Sequence, residues 1–155
     1  MHERLGEYKL VEEHPISFGA LTVEPVAGSN PSFTGVHTAP PLPELMTNWR
    51  SDLAQVRQLL ETGKGSVVAG DFNATLHHGA LLPGSAADAA LEAGAAEGTW
   101  PTDMGGAVSS QIDYIFISNY GANRVAEART FNPGGSDHRA VTAQLSLCAE
   151  HRPVS

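Results

Sequence analysis

Four short clusters carry side chains able to do chemistry. They are Gly70-Asp71-Phe72-Asn73-Ala74, Gly135-Ser136-Asp137-His138-Arg139, Asp113 within Gln111-Ile112-Asp113-Tyr114-Ile115, and His37 within Val36-His37-Thr38-Ala39-Pro40. Asp71 and Asn73 are two apart, so on extended backbone they point to the same side. A carboxylate beside a carboxamide offers hard oxygen ligands and an amide donor, a set that suits Mg²⁺ or Mn²⁺ and a phosphate oxygen. The same pair also makes an ordinary turn closing a strand. Adjacent Asp137 and His138 can split their duties, the carboxylate on a metal and the imidazole on a substrate proton or phosphate. A histidine titrating near neutrality is a fit general base for water; a plain polar loop is the other reading. Asp113 lies in an otherwise apolar run, where burial is costly without a partner. It either faces solvent or orients an imidazole. His37 closes one strand as His138 opens another, and two histidines flanking one phosphate can share acid and base work. Read alone, His37 is a structural residue. His77-His78 lacks a third ligand nearby and reads as a surface turn. Trp100-Pro101 is expected at a sheet edge or at the rim of a site. No Walker-type phosphate loop and no nucleophile elbow is present.

The elements that must position these groups follow from periodicity. Alternation predicts strands over 16–23 and 33–37, the second ended by Pro40-Pro41-Leu42-Pro43. Leu45, Trp49, Leu53, Val56 and Leu60 recur at helical spacing and predict a helix over 44–60, stopped by Gly63 and Gly65. Ser66 to Gly70 is an apolar run of buried-strand type. Asp88 to Ala96 predicts a small helix. Ile112 to Ile117, Arg124 to Phe131 and Ala140 to Leu147 predict strands, and the tail from Cys148 to Ser155 is expected to fray. Residues 1–15 are polar and carry no strong period. Strands with few helices, no repeat and no internal linker indicate a layered α/β arrangement.

Bulk properties narrow the function. The 155 residues suffice for a core without disulfides, and the single Cys148 excludes a disulfide framework or a cysteine-rich zinc site. A net charge of −8, from 9 basic and 17 acidic residues, argues against holding nucleic acid by a broad basic face. It leaves room for an enzyme that contacts one phosphate through a metal ion, which supplies positive charge. No stretch has the apolar length of a membrane span, and the N-terminus does not read as a secretory signal. Any address for export or membrane anchoring would lie in a longer parent.

In order, His37-Thr38-Ala39-Pro40, Gly70-Asp71-Phe72-Asn73-Ala74, Ile112-Asp113-Tyr114 and Ser136-Asp137-His138 resemble the endonuclease/exonuclease/phosphatase, or DNase I-like, superfamily over about residues 33–147. The resemblance implies an α/β fold that is part of a four-layered sandwich with mainly antiparallel sheets. It implies metal-dependent hydrolysis of a phosphodiester or phosphomonoester by in-line attack of water, with Mg²⁺ or Mn²⁺ offsetting charge on the phosphoryl oxygens. By the same resemblance Asp71 orients the water or assists the metal, and Asn73 holds a phosphate oxygen. Asp137 is a metal ligand and His138 contacts the scissile phosphate as base or stabiliser. Asp113 pairs with a catalytic histidine, and His37 is the second acid/base group. The substrate is a phosphate ester: nucleic acid, phospholipid or a small ester.

One departure qualifies the match. Family domains carry an Asn on an early strand and a Gln-Glu pair on a later one, that Glu being the chief metal ligand. Nothing before His37 matches, and Glu12-Glu13 lack an apolar strand in front. The expectation is that residues 1–155 form a single, incomplete domain that lacks an N-terminal half or needs a second chain. Alone, it is expected to bind Mg²⁺ poorly. The alternative is a catalytically inactive relative that serves as a binding module.

Overall fold

The computed structural model describes residues 5–28, 30–63, 65–79, 81, 83–105, 107–118 and 125–146. Among the described residues, eight strands and two helices follow one another: β1 (Tyr8–His14), β2 (Ala20–Pro25), β3 (Ser32–His37), a 3-10 turn (Pro43–Leu45), α1 (Met46–Thr62), β4 (Ser66–Asp71), β5 (Ala87–Asp88), α2 (Ala89–Glu92), β6 (Asp113–Ile117), β7 (Val125–Phe131) and β8 (Ala140–Leu145). Arg124, Leu147 and the Cys148–Ser155 tail lie outside the described residues. The fold is mixed α/β, with a mainly antiparallel sheet.

Six strands make one sheet in the order β1-β2-β3-β4-β6-β5, and β7 with β8 makes a separate ribbon. Only β3 and β4 run parallel, because α1 carries the chain back between them. The predicted stripe of α1 is the buried one: Trp49, Leu53, Val56 and Leu60 pack with Ala20, Val36, Val68, Tyr114 and Phe116 from one sheet face. The intervening residues Leu21, Gly35 and Ala69 align across β2, β3 and β4 on the opposite face. There Leu10 and Leu21 remain exposed. Among the described residues no helix is long and apolar enough to cross a membrane.

The strands near the N-terminus differ from expectation. Tyr8–His14 is a strand, although its residues are mostly exposed, because it pairs on one side only, with β2. The strand predicted over 16–23 starts later, at Ala20. Ile16 to Gly19 forms a turn closed by the Gly19 amide on the Ile16 carbonyl, 2.9 Å, with Ile16 buried in the core.

Gly70 explains how β3 and β4 approach so closely. Its φ is +149°, and a Cβ there would sit 1.9 Å from the Val36 carbonyl oxygen. The small helix predicted over 88–96 is confined to Ala89–Glu92, capped by the Asp88 carboxylate on the Ala90 amide.

Candidate active site

Strand register gathers the first three groups. His37 stands opposite Asp71 across the parallel pair, and Asp71 opposite Asp113 across the antiparallel pair. All three belong to the sheet face turned away from α1. The His37 Nε2 lies 3.7 Å from Asp71 Oδ2, with its ring against Phe18 and over half its side chain exposed.

Asp71 and Asn73 are brought together by a turn, which corrects the extended geometry expected from their spacing. Asn73 has φ +45°, a left-handed conformation that asparagine tolerates better than most residues. Its amide donates to Asp71 Oδ1 at 2.8 Å, and its Nδ2 donates to the Thr38 carbonyl at 2.9 Å and to Asp71 Oδ2 at 3.3 Å. The turn reading and the chemical reading thus describe one feature.

His138 comes from the loop before β8. Its Nδ1 lies 2.9 Å from Asp113 Oδ2, in a half-buried pair. Burial pulls the imidazolium down. The hydrogen bond and charge of Asp113, with the charges of Asp71 and Asp137, outweigh it and leave the His138 pKa above its ordinary 6.5. Burial likewise raises the Asp71 carboxyl above its ordinary 3.8, against the Asn73 amide and with help from the Asp113 charge. Ligand atoms of Asp71, Asp113 and His138 lie within 4.8 Å of one another. Asp137 sits beside this trio, its Oδ2 accepting from the Trp100 indole at 3.2 Å. Among the described residues this is the one such cluster of three. His77 and His78 are exposed and not part of it; His78 Nδ1 accepts from the Thr75 amide in a local turn.

Three positioning residues escape sequence reasoning, because their partners are backbone groups far along the chain. Buried Thr99 accepts through Oγ1 from the Ile112 and Asp113 amides at 3.0 and 3.1 Å, which fixes where Asp113 begins its strand. Arg139 donates to the carbonyls of Gly98, Thr102 and Met104 and to Ser109 Oγ, while its own amide bonds the Thr99 carbonyl. It ties the Trp100 loop to the loop bearing Asp137 and His138. Asp52, almost fully buried on α1, accepts from the Ala39 amide at 2.8 Å and from the Ser17 amide and hydroxyl. It pins the backbone just after His37. Asp52→Ala leaves the buried Ala39 amide unpaired and is expected to cost about 2 kcal/mol in urea unfolding; a cost below about 0.5 kcal/mol would show that water replaces the carboxylate.

The sequence pattern of the Endonuclease/Exonuclease/phosphatase family matches residues 6–138. No curated protein matches the chain. Solved structures share its fold. A functionally unknown conserved protein from Enterococcus faecalis V583 superposes with TM-score 0.64 at 15% identity, over 90% of this chain and 64% of that one. A 3′ phosphatase from Neisseria, bound to a product DNA hairpin, gives 0.58 at 16%, over 82% and 64%. An endonuclease/exonuclease/phosphatase from Bacteroides vulgatus gives 0.57 at 19%, over 90% and 66%. The chain therefore spans just under two thirds of the length of each. The family pattern covers most of the sequence, and the shared fold agrees with it: the chain belongs to the endonuclease/exonuclease/phosphatase family.

Proposed function

We propose that this chain hydrolyses a phosphate ester, a phosphodiester or phosphomonoester, by in-line attack of water with Mg²⁺ or Mn²⁺ as cofactor. The observation that carries the reading is the convergence of His37, Asp71, Asn73, Asp113 and His138 at one end of the sheet. The donor set fits a hard divalent cation. Its oxygens come from carboxylates, and burial, with the charge of Asp113, already holds Asp71 above its ordinary pKa. Asp71 and Asp137 are the residues that would hold the ion. When bound, it supplies charge that neutralises the phosphoryl oxygens.

The side chains divide the remaining work. Asp113 holds the His138 Nδ1, which fixes the tautomer and leaves Nε2 for the substrate. His138 takes the proton of the attacking water or steadies the phosphoryl group. Asn73 exchanges its long 3.3 Å contact with Asp71 for a phosphate oxygen, while its bond to Thr38 keeps the carboxamide in place. His37, exposed on the other side of Asp71, returns a proton to the leaving oxygen.

On substrate, the Neisseria phosphatase bound to DNA supports a nucleic-acid end; a phospholipid or small ester shares the same phosphate chemistry. The open face bearing Leu10 and Leu21 is read as the seat of a further sheet layer, from an N-terminal half or a second chain.

One observation favours the second reading, an inactive binding module. Asp113 is bonded to His138, which leaves two carboxylates, Asp71 and Asp137, for a cation. Hydrolysis of bis-p-nitrophenyl phosphate with Mg²⁺ or Mn²⁺ separates the two. Asp71→Ala is expected to slow it by at least about 100-fold, and equal rates would remove the enzyme reading. In a parallel measurement, Mg²⁺ at millimolar excess is expected to raise the melting temperature of the wild type slightly, in keeping with weak binding, and not that of Asp71→Ala.

A further inference from the structure

Beside the catalytic groups lies a cavity of about 420 Å³. Asn73 and His138 are among its lining residues. Most of the lining surface is apolar, from Pro41, Leu42, Trp100 and Ile112, with Thr75, His78 and Ser110 beside them. No lysine or arginine is among its lining residues. Leu42 is 46% exposed and Trp100 43%, so two large apolar side chains stay accessible in the same cavity as Asn73 and His138. The Trp100 ring is held there: its indole donates to Asp137, and its loop is tied by Arg139.

We propose that this cavity takes an uncharged, flat organic ring, of nucleobase or aryl size, carried by the phosphate ester. The inference rests on the phosphoesterase reading and narrows it. The volume falls within the range of small-molecule sites. An indole face and proline edges suit a flat ring, whose stacking needs no hydrogen-bond match. With no lysine or arginine in the lining, and only the His78 and His138 imidazoles to offer positive charge, this space suits a second phosphate poorly in a chain of net charge −8. Selectivity is thus set by a single phosphate and its adjoining ring, not by a run of phosphates.

Phenyl phosphate and methyl phosphate carry the same charged group and differ in the ring. Titrated into the full chain in Mg²⁺ buffer and followed by the Trp100 indole N–H resonance, phenyl phosphate is expected to bind at least tenfold more tightly. Leu42→Asn, at an exposed loop position, is expected to cut that ratio by threefold or more. Equal affinities, no binding of either, or a ratio unmoved by Leu42→Asn would each overturn the proposal. A chain that prefers phenyl phosphate but does not hydrolyse bis-p-nitrophenyl phosphate sinks the hydrolase reading and leaves the cavity assignment standing. A chain that hydrolyses it without preferring the ring does the reverse.

Discussion

Gly70→Ala is expected to cost more than about 3 kcal/mol in denaturant unfolding, and to abolish activity in whatever fraction stays folded. Two independent effects add. The φ of +149° is strained for any residue with a side chain, and the new methyl would lie 1.9 Å from the Val36 carbonyl oxygen, a backbone atom that cannot swing aside. Relief requires β3 and β4 to separate. Those strands carry His37 and Asp71 in direct register, so the same movement that admits the methyl pulls the site apart. Gly35→Ala, one residue before Val36, is the internal comparison. A Cβ there meets nothing within 4 Å, and its cost is expected to stay within about 0.5 kcal/mol. Equal costs for the two substitutions would show that strand approach at Gly70 is not what limits the fold.

The second large effect belongs to Asp113→Asn. The variant keeps the shape and removes the charge that faces His138 Nδ1. On the proposed function, hydrolysis of bis-p-nitrophenyl phosphate is expected to fall by about 10²- to 10⁴-fold, as the imidazole loses its tautomer and its stabilising partner. The direction on pH follows from the causes of the shift. Burial alone lowers the His138 pKa, and Asp113 is the main group that lifts it back above 6.5. Without it the imidazolium releases its proton at lower pH, so the acidic limb of the rate profile moves down. Stability follows the same sign. A raised histidine pKa contributes stability that is fully present below the unfolded value near 6.5 and is lost as pH rises through the folded value. Asp113→Asn is therefore expected to lose more stability in mildly acidic buffer than in alkaline buffer. The midpoint of the His138 ring signal by NMR, without divalent cation, reads the shift directly. A midpoint that stays put or climbs would mean that Asp113 does not hold the proton.

Much of this arrangement was legible from residue order, for a physical reason. Asp71, Asp113, His37 and His138 each sit at or beside a strand end, where apolar alternation stops and a polar group stands out. Strand register then aligns His37, Asp71 and Asp113 across the sheet, and the loop before β8 adds His138. α1 was readable because its buried stripe repeats at a single period. β1 was not, because an edge strand with exposed Lys9, Glu12 and Glu13 has no alternation to detect; its pairing with β2 supplies the order. Ile16 misled in the other direction, being a buried apolar residue at the start of an exposed turn, where it mimics a strand. Asp52, Thr99 and Arg139 left no signal at all. Their partners, mostly main-chain groups, lie 11 or more residues away, and spacing carries no information about which group a side chain will reach.

The apolar residues lining the cavity with His138 are not equally free to vary. Trp100 follows directly on Thr99, whose hydroxyl holds the amide of Asp113, and its loop hangs from the guanidinium next to His138. A replacement there disturbs the chemistry along with the fit. Pro41 and Leu42 bond to none of the reacting groups, and the Leu42 amide is satisfied by Pro40 within its own loop. Divergence toward new esters should therefore accumulate on the proline side, leaving the tryptophan side as the inherited half of the binding slot.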